Sequence, residues 1–99
     1  MEKIHSDALL HLYRAVLSLE NEQECEAFFE DICTIKEIQD ISQRLAVAEM
    51  LDKGRNYNEI SKDTGASTAT ISRVNKCLVY GSGGYRNVLD KAKKESKKQ

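Results

Sequence analysis

The residues with the clearest chemical potential lie between Asn56 and Leu78. The run Ser67-Thr68-Ala69-Thr70-Ile71-Ser72 carries short hydroxyl and methyl side chains, followed by the cations Arg73 and Lys76. A helix that enters a DNA major groove about 12 Å wide needs small side chains in its leading turn. Thr68, Ala69 and Ser72 meet that need, and their hydroxyls and methyls suit base edges and the thymine methyl. Ser67 and the free amides of a helix start suit a phosphate. Arg55 and Lys62 add positive charge nearby. The candidate DNA-binding set is therefore Arg55, Lys62, Ser67, Thr68, Ala69, Thr70, Ser72, Arg73 and Lys76. An ordinary helical hairpin with a solvated polar face has the same spacing.

Two short helices must position these residues. Asn56 and Glu59 form a capping pair, and Ile60 is the apolar anchor of a helix of about seven residues. Gly65 ends that helix and Ser67 starts the next. In the second helix Ile71, Val74 and Leu78 share an inward face, while Thr68, Ala69, Ser72, Arg73 and Lys76 point mostly outward. A helix-turn-helix is expected over about 56–78.

Upstream, Ile4, Ala8, Leu9, Leu12, Tyr13, Val16 and Leu17 form a broad stripe on a helix from about 4 to 19. The rest of the chain or a second chain must cover it. Asn21 and Glu24 mark a second start, with Phe28, Phe29, Ile32 and Cys33 as its apolar face. Thr34-Ile35-Lys36-Glu37 is a clearer capping box. The long helix behind it places Ile38, Ile41, Leu45, Ala48 and Leu51 on one side, and Lys53-Gly54 closes it. Gly81-Ser82-Gly83-Gly84 reads as a hinge; it lacks the Gly-Lys-Ser/Thr of a phosphate loop. Tyr85, Val88, Leu89 and Ala92 suggest a short last helix, with a flexible basic tail over about 93–99.

Ninety-nine residues imply a single domain, 1–99, of all-α class with about six helices. No stretch of about 18 apolar residues exists and the start Met-Glu-Lys lacks a signal-peptide core, so a cytoplasmic protein without membrane contact is expected. The net charge of −1 is an average of unlike halves. Residues 1–52 hold 12 acidic and 4 basic side chains, whereas residues 53–99 hold 4 acidic and 11 basic ones. Such asymmetry points to one half that faces a polyanion.

Other chemistries find little support. Cys25, Cys33 and Cys77 show no C-x-x-C spacing, and His5 and His11 sit far from them. No metal site is expected, and the cysteines read as small core hydrophobes of a reducing compartment. The carboxylates of 20–31 alternate along a helix surface without a paired base or nucleophile, so no catalytic residues and no enzyme are expected. That acidic half does permit a second reading, a non-catalytic adaptor that holds a basic protein partner. The lysine-rich tail reads equally as a DNA arm and as a solubilising end.

The runs Phe28-Phe29, Cys33-Thr34, Ile38-Gln39, Gln43-Arg44-Leu45 and Thr64-Gly65-Ala66-Ser67-Thr68-Ala69-Thr70-Ile71-Ser72-Arg73-Val74 resemble the Trp repressor superfamily, most closely its YerC/YecD branch of Trp-repressor-like proteins. The resemblance covers about residues 8–90. It implies an intertwined all-helical homodimer whose two helix-turn-helix units address successive major grooves of double-stranded DNA. It implies a transcriptional regulator, most simply a repressor, and puts Thr68, Ala69 and Ser72 at base-facing positions. Arg44 and Arg73 match the two arginines that flank the bound tryptophan of Trp repressor, which makes them a candidate effector pocket; the favoured readings are a salt bridge to the acidic half for Arg44 and a phosphate contact for Arg73. Val74 replaces the glycine of that site, and its β-branched side chain would crowd an indole. The expectation is therefore no tryptophan corepressor and no other cofactor, with any effector unknown.

Overall fold

A computed structural model describes residues 6–98 as six helices, with no strand among the described residues. They are α1 (Asp7–Leu17), α2 (Glu22–Ile32), α3 (Ile35–Asp52), α4 (Tyr57–Thr64), α5 (Thr68–Tyr80) and α6 (Gly84–Lys98). Contacts gather into two compact units, residues 1–38 and 39–99.

Local capping explains most boundaries. Ser6 Oγ accepts from the Leu9 amide, so α1 begins at Asp7; Ile4 and His5 of the expected stripe lie outside the described residues. Asn21 Oδ1 accepts from the Glu24 amide, and Glu24 in turn accepts from the amide of Glu20. The capping box of α3 closes in both directions: Thr34 Oγ1 accepts from the Glu37 amide at 3.1 Å, and Glu37 Oε1 accepts from the Thr34 amide at 2.8 Å. Hydrogen bonds from the Thr34 amide and then the Thr34 hydroxyl stabilise the ionised carboxylate, so the Glu37 pKa lies below its usual value.

In the first unit the apolar side chains stay largely uncovered. Neither α1 nor α2 has a single buried residue. Leu17 is 83% exposed and Ile35 76% exposed, beside the open Leu10, Tyr13, Val16 and Ile32. Phe28 and Phe29 make an edge-to-face pair with centroids 5.7 Å apart.

The second unit holds the core: Val47, Ala48, Ile60, Ala66, Ile71, Val74 and Leu89, with Met50, Leu51, Tyr57, Leu78 and Tyr85 packed against it. α4 packs on α5, and α5 on α6. The α3 stripe reads differently here than expected. Of the expected side, Ala48 is buried and Ile38 and Leu51 are half-buried, while Ile41 and Leu45 are exposed; Val47, outside that stripe, is buried. Gly54 closes α3 at φ +80°, a conformation that costs a residue with a Cβ about 1 kcal/mol or more.

Two further expectations are corrected. α6 extends through Lys98, so Lys93 and Lys94 of the tail expected from about residue 93 belong to a helix; Gln99 lies outside the described residues. No Pro or Gly interrupts 85–98, and ion pairs fasten its first half (below). The cysteines are not core residues: Cys25 and Cys33 are half-buried and Cys77 is exposed. No described helix is long and apolar enough to cross a membrane.

Candidate nucleic-acid interface

The interface is built on α4, the turn Gly65–Ala66–Ser67, and α5. Asn56 Oδ1 accepts from the Glu59 amide and starts α4. The reciprocal half of that expected capping pair does not form, because Glu59 is engaged by Arg55 instead. Gly65 adopts φ +76° and its amide donates to the Ser61 carbonyl, which ends the helix. Thr64 fixes the turn: its hydroxyl donates to the Ile60 carbonyl and accepts from the Ala66 amide. Gln43 of α3 adds a longer tie, with Nε2 donating to the Thr64 carbonyl at 3.1 Å. Ala66, the residue between glycine and cap, is itself buried. Ser67 Oγ then accepts from the Thr70 amide and starts α5.

This framework sets the face of α5. Ile71 and Val74 point into the core and Leu78 is half-buried. Thr68, Ala69, Ser72, Arg73 and Lys76 are all exposed, as the spacing predicts, and so is Lys62 on α4. Thr70 is half-buried, and its hydroxyl is held by Ser67 Oγ at 3.1 Å. Thr70 thus serves the turn more than it serves an external ligand.

The cations divide into two groups. Among the described residues Lys62, Arg73 and Lys76 carry no ion pair, so their charge faces solvent. Arg55 differs: Nε donates to Glu59 Oε2 at 2.7 Å and Nη2 lies 3.5 Å from Asp63 Oδ2. A guanidinium held between two carboxylates offers little net charge to a phosphate. Composition alone could not reveal this, although Glu59 at i+4 on a helix was the available signal.

A second consumed pair was not anticipated from sequence. Asp52, whose side chain is only 10% exposed, accepts from Arg86 Nη1 at 2.7 Å and from Lys93 Nζ at 2.6 Å. Hydrogen bonds from Lys93 and Arg86 hold the Asp52 pKa below the usual carboxylate value, and Asp52 with Asp90 raises that of Arg86. Asp52 is the last residue of α3, where a lone carboxylate would oppose the helix dipole; the two cations offset that.

Arg44 and Arg73 are brought together. With Val74, Cys77 and Tyr85 they line an open cleft of about 250 Å3. Val74 is 2% exposed and occupies this wall. Both arginines are exposed, and Tyr85 comes from α6. No group of three or more metal-ligating side chains gathers among the described residues.

Comparison with known proteins agrees with this architecture. The family model for the Trp repressor protein matches residues 7–93. The Bacillus subtilis protein YerC, itself uncharacterised, is 50% identical over 93 residues, which span 94% of this chain and 89% of YerC. A crystal structure from Staphylococcus aureus, provisionally described as a Trp repressor, superposes with a TM-score of 0.87 at 48% identity, covering 90% of this chain and 89% of that one. A TrpR-like protein from Eubacterium eligens superposes at 0.86 with 50% identity, covering 88% and 90%. A match across nearly the whole length in both sequence and fold shows that this chain belongs to the Trp repressor family.

Proposed function

We propose that the protein is a sequence-specific DNA-binding transcriptional regulator without catalytic activity, and that α4, the Gly65 turn and α5 form its helix-turn-helix. The observation that carries this reading is the outer face of α5. Small groups at Thr68, Ala69 and Ser72 lie beside Arg73 and Lys76, all exposed, with both cations free of internal carboxylates. Ser67 and the first amides of α5 take a phosphate, and Lys62 takes another. Arg55 contributes to folding of α4 more than to DNA.

The acting species is a homodimer. No residue of α1 or α2 is fully buried within the chain, which leaves apolar surface that a second copy covers. Two recognition helices then address major grooves one helical turn apart, about 34 Å. The cleft between Arg44 and Arg73 is where an effector would act on α5. Tryptophan is not that effector, because Val74 takes up the space an indole would need.

Selection of bound fragments from a random duplex pool, followed by filter binding at about 100 mM salt, tests the reading. Enrichment of a two-fold symmetric site is expected. Binding no tighter than to random duplex, for every enriched sequence, overturns it.

A further inference from the structure

The basic half of the chain does not present all of its charge. On α4 and α5 the cations Lys62, Arg73 and Lys76 are free among the described residues. On α6, Arg86 and Lys93 converge on one carboxylate, Asp52, at 2.7 and 2.6 Å. Arg86 and Lys93 are themselves 43% and 55% exposed, so water and phosphate reach them. Without Asp52 they would form, with the exposed Lys91 and Lys94, a dense cationic patch on one helix. Such a patch binds any duplex, since counterion release does not depend on sequence.

We propose that Asp52 is a specificity-determining residue that acts as an internal counterion, withholding Arg86 and Lys93 from DNA phosphates and so lowering the free positive charge that α6 offers beside the face formed by α4 and α5. The proposal rests on the DNA-binding reading above. It assigns Asp52 a role opposite in sign to that of an ordinary structural residue. Loss of a structural residue weakens all binding. Loss of Asp52 releases Lys93, leaves Arg86 with only the longer 3.4 Å contact to Asp90, and strengthens binding to the wrong DNA. The remaining contacts of α6 are apolar, through Leu89 and Tyr85 against the core, so the helix has a second means of staying in place.

The test measures full-length protein against a selected site and against random-sequence duplex over a salt series. For Asp52→Asn, random-duplex affinity should rise roughly three- to tenfold at about 50 mM salt, and the slope of log K against log salt should steepen by about one to two. Affinity for the selected site should rise less, so the specificity ratio falls. In the wild-type background Lys93→Gln should change the random-duplex slope by well under one, whereas in the Asp52→Asn background it should remove about half of the gain. An unchanged or weakened random-duplex affinity in folded Asp52→Asn overturns the proposal. So does a loss of a full unit of slope on Lys93→Gln alone, an outcome that remains readable even if Asp52→Asn does not fold. Wild-type protein that binds the selected site while these variants behave otherwise leaves the DNA-binding reading intact. Wild-type protein that binds no duplex at all overturns both.

Discussion

Lys93 Nζ lies 2.6 Å from Asp52 Oδ2, so a residue late in α6 is fastened to the last residue of α3. Arg86 shares the same carboxylate from one side of the helix start. The folded Asp52 pKa lies below its unfolded value because Lys93 and Arg86 favour the charged form. A depressed carboxylate contributes stability above its unfolded pKa and loses it as pH falls through the folded value. Stability from Asp52 should therefore be flat from pH 7 down to about 5, decline as pH passes the ordinary carboxylate value of about 3.9, and vanish only below the depressed folded value. Asp52→Asn should cost about 1 kcal/mol at pH 7, a modest figure because both partners meet water. Urea denaturation across pH should show the gap between the two proteins closing in acid. A gap that persists undiminished at pH 2–3 would show that the charge is not its source.

Ser67 combines capping with the expected phosphate contact, and two substitutions separate these roles. Ser67→Ala removes the acceptor for the Thr70 amide and should lower stability by about 1 kcal/mol. Ser67→Asp keeps a good cap and should leave stability within a few tenths of a kcal/mol. Its carboxylate repels a phosphate, so DNA binding should still fall at least several-fold. Thermal melts and filter binding on the same samples check both halves.

Lys76 and Arg55 should behave differently despite equal formal charge. Lys76→Ala should weaken every sequence alike and reduce the salt slope by about one. Arg55→Ala should leave that slope nearly unchanged, since Glu59 and Asp63 already hold the guanidinium. Ser72→Ala should instead change which sequences are preferred. Equal slope losses for Lys76 and Arg55 would show that DNA can draw Arg55 from its carboxylates.

Assembly rests on the uncovered side chains of the first unit. Leu17→Glu and Ile35→Glu each place a charge on a face that is 83% or 76% open in the single chain. Wild-type protein should sediment at twice the 11.2 kDa of one chain at micromolar concentration. The variants should dissociate, unfold, or both, with a melting temperature that depends on concentration. A wild-type chain that sediments as a stable folded monomer would remove the homodimer.

On the proposed reading, Val74 bars tryptophan from the cleft between Arg44 and Arg73. Tryptophan at about 1 mM, enough to saturate a micromolar site, should leave DNA binding unchanged. Val74→Ala should open the cleft and cost about 2 kcal/mol through the lost buried methyls. A wild-type response to tryptophan above about threefold would show that the cleft wall yields.

The parts of the fold written in short-range chemistry were legible. Thr34 with Glu37, Asn56, Gly65 and Ser67 act within a few residues, so their types predict the helix limits and the direction of the α5 face. Periodicity did less well on α3. Ala48 of the expected stripe is buried, yet Ile41 and Leu45 of the same stripe are exposed and Val47 outside it is buried, because a helix with apolar residues on more than one side does not say which side its own chain covers. The ties that reach across the second unit were not visible. Gln43 to Thr64, and Asp52 to Arg86 and Lys93, join residues distant in sequence whose types are common on any helix surface. Arg55 was assigned by charge, whereas its partners decide how much of that charge is on offer.

The two carboxylates around Arg55 also bear on how a regulator finds its site. Search along a genome alternates sliding on arbitrary sequence with release into solution, and each extra phosphate contact lengthens the sliding episodes. On the proposed reading, with Arg55 held between Glu59 and Asp63, one contact beside α5 is weakened in each such encounter. The protein would leave non-operator DNA sooner and sample more of the chromosome in a given time.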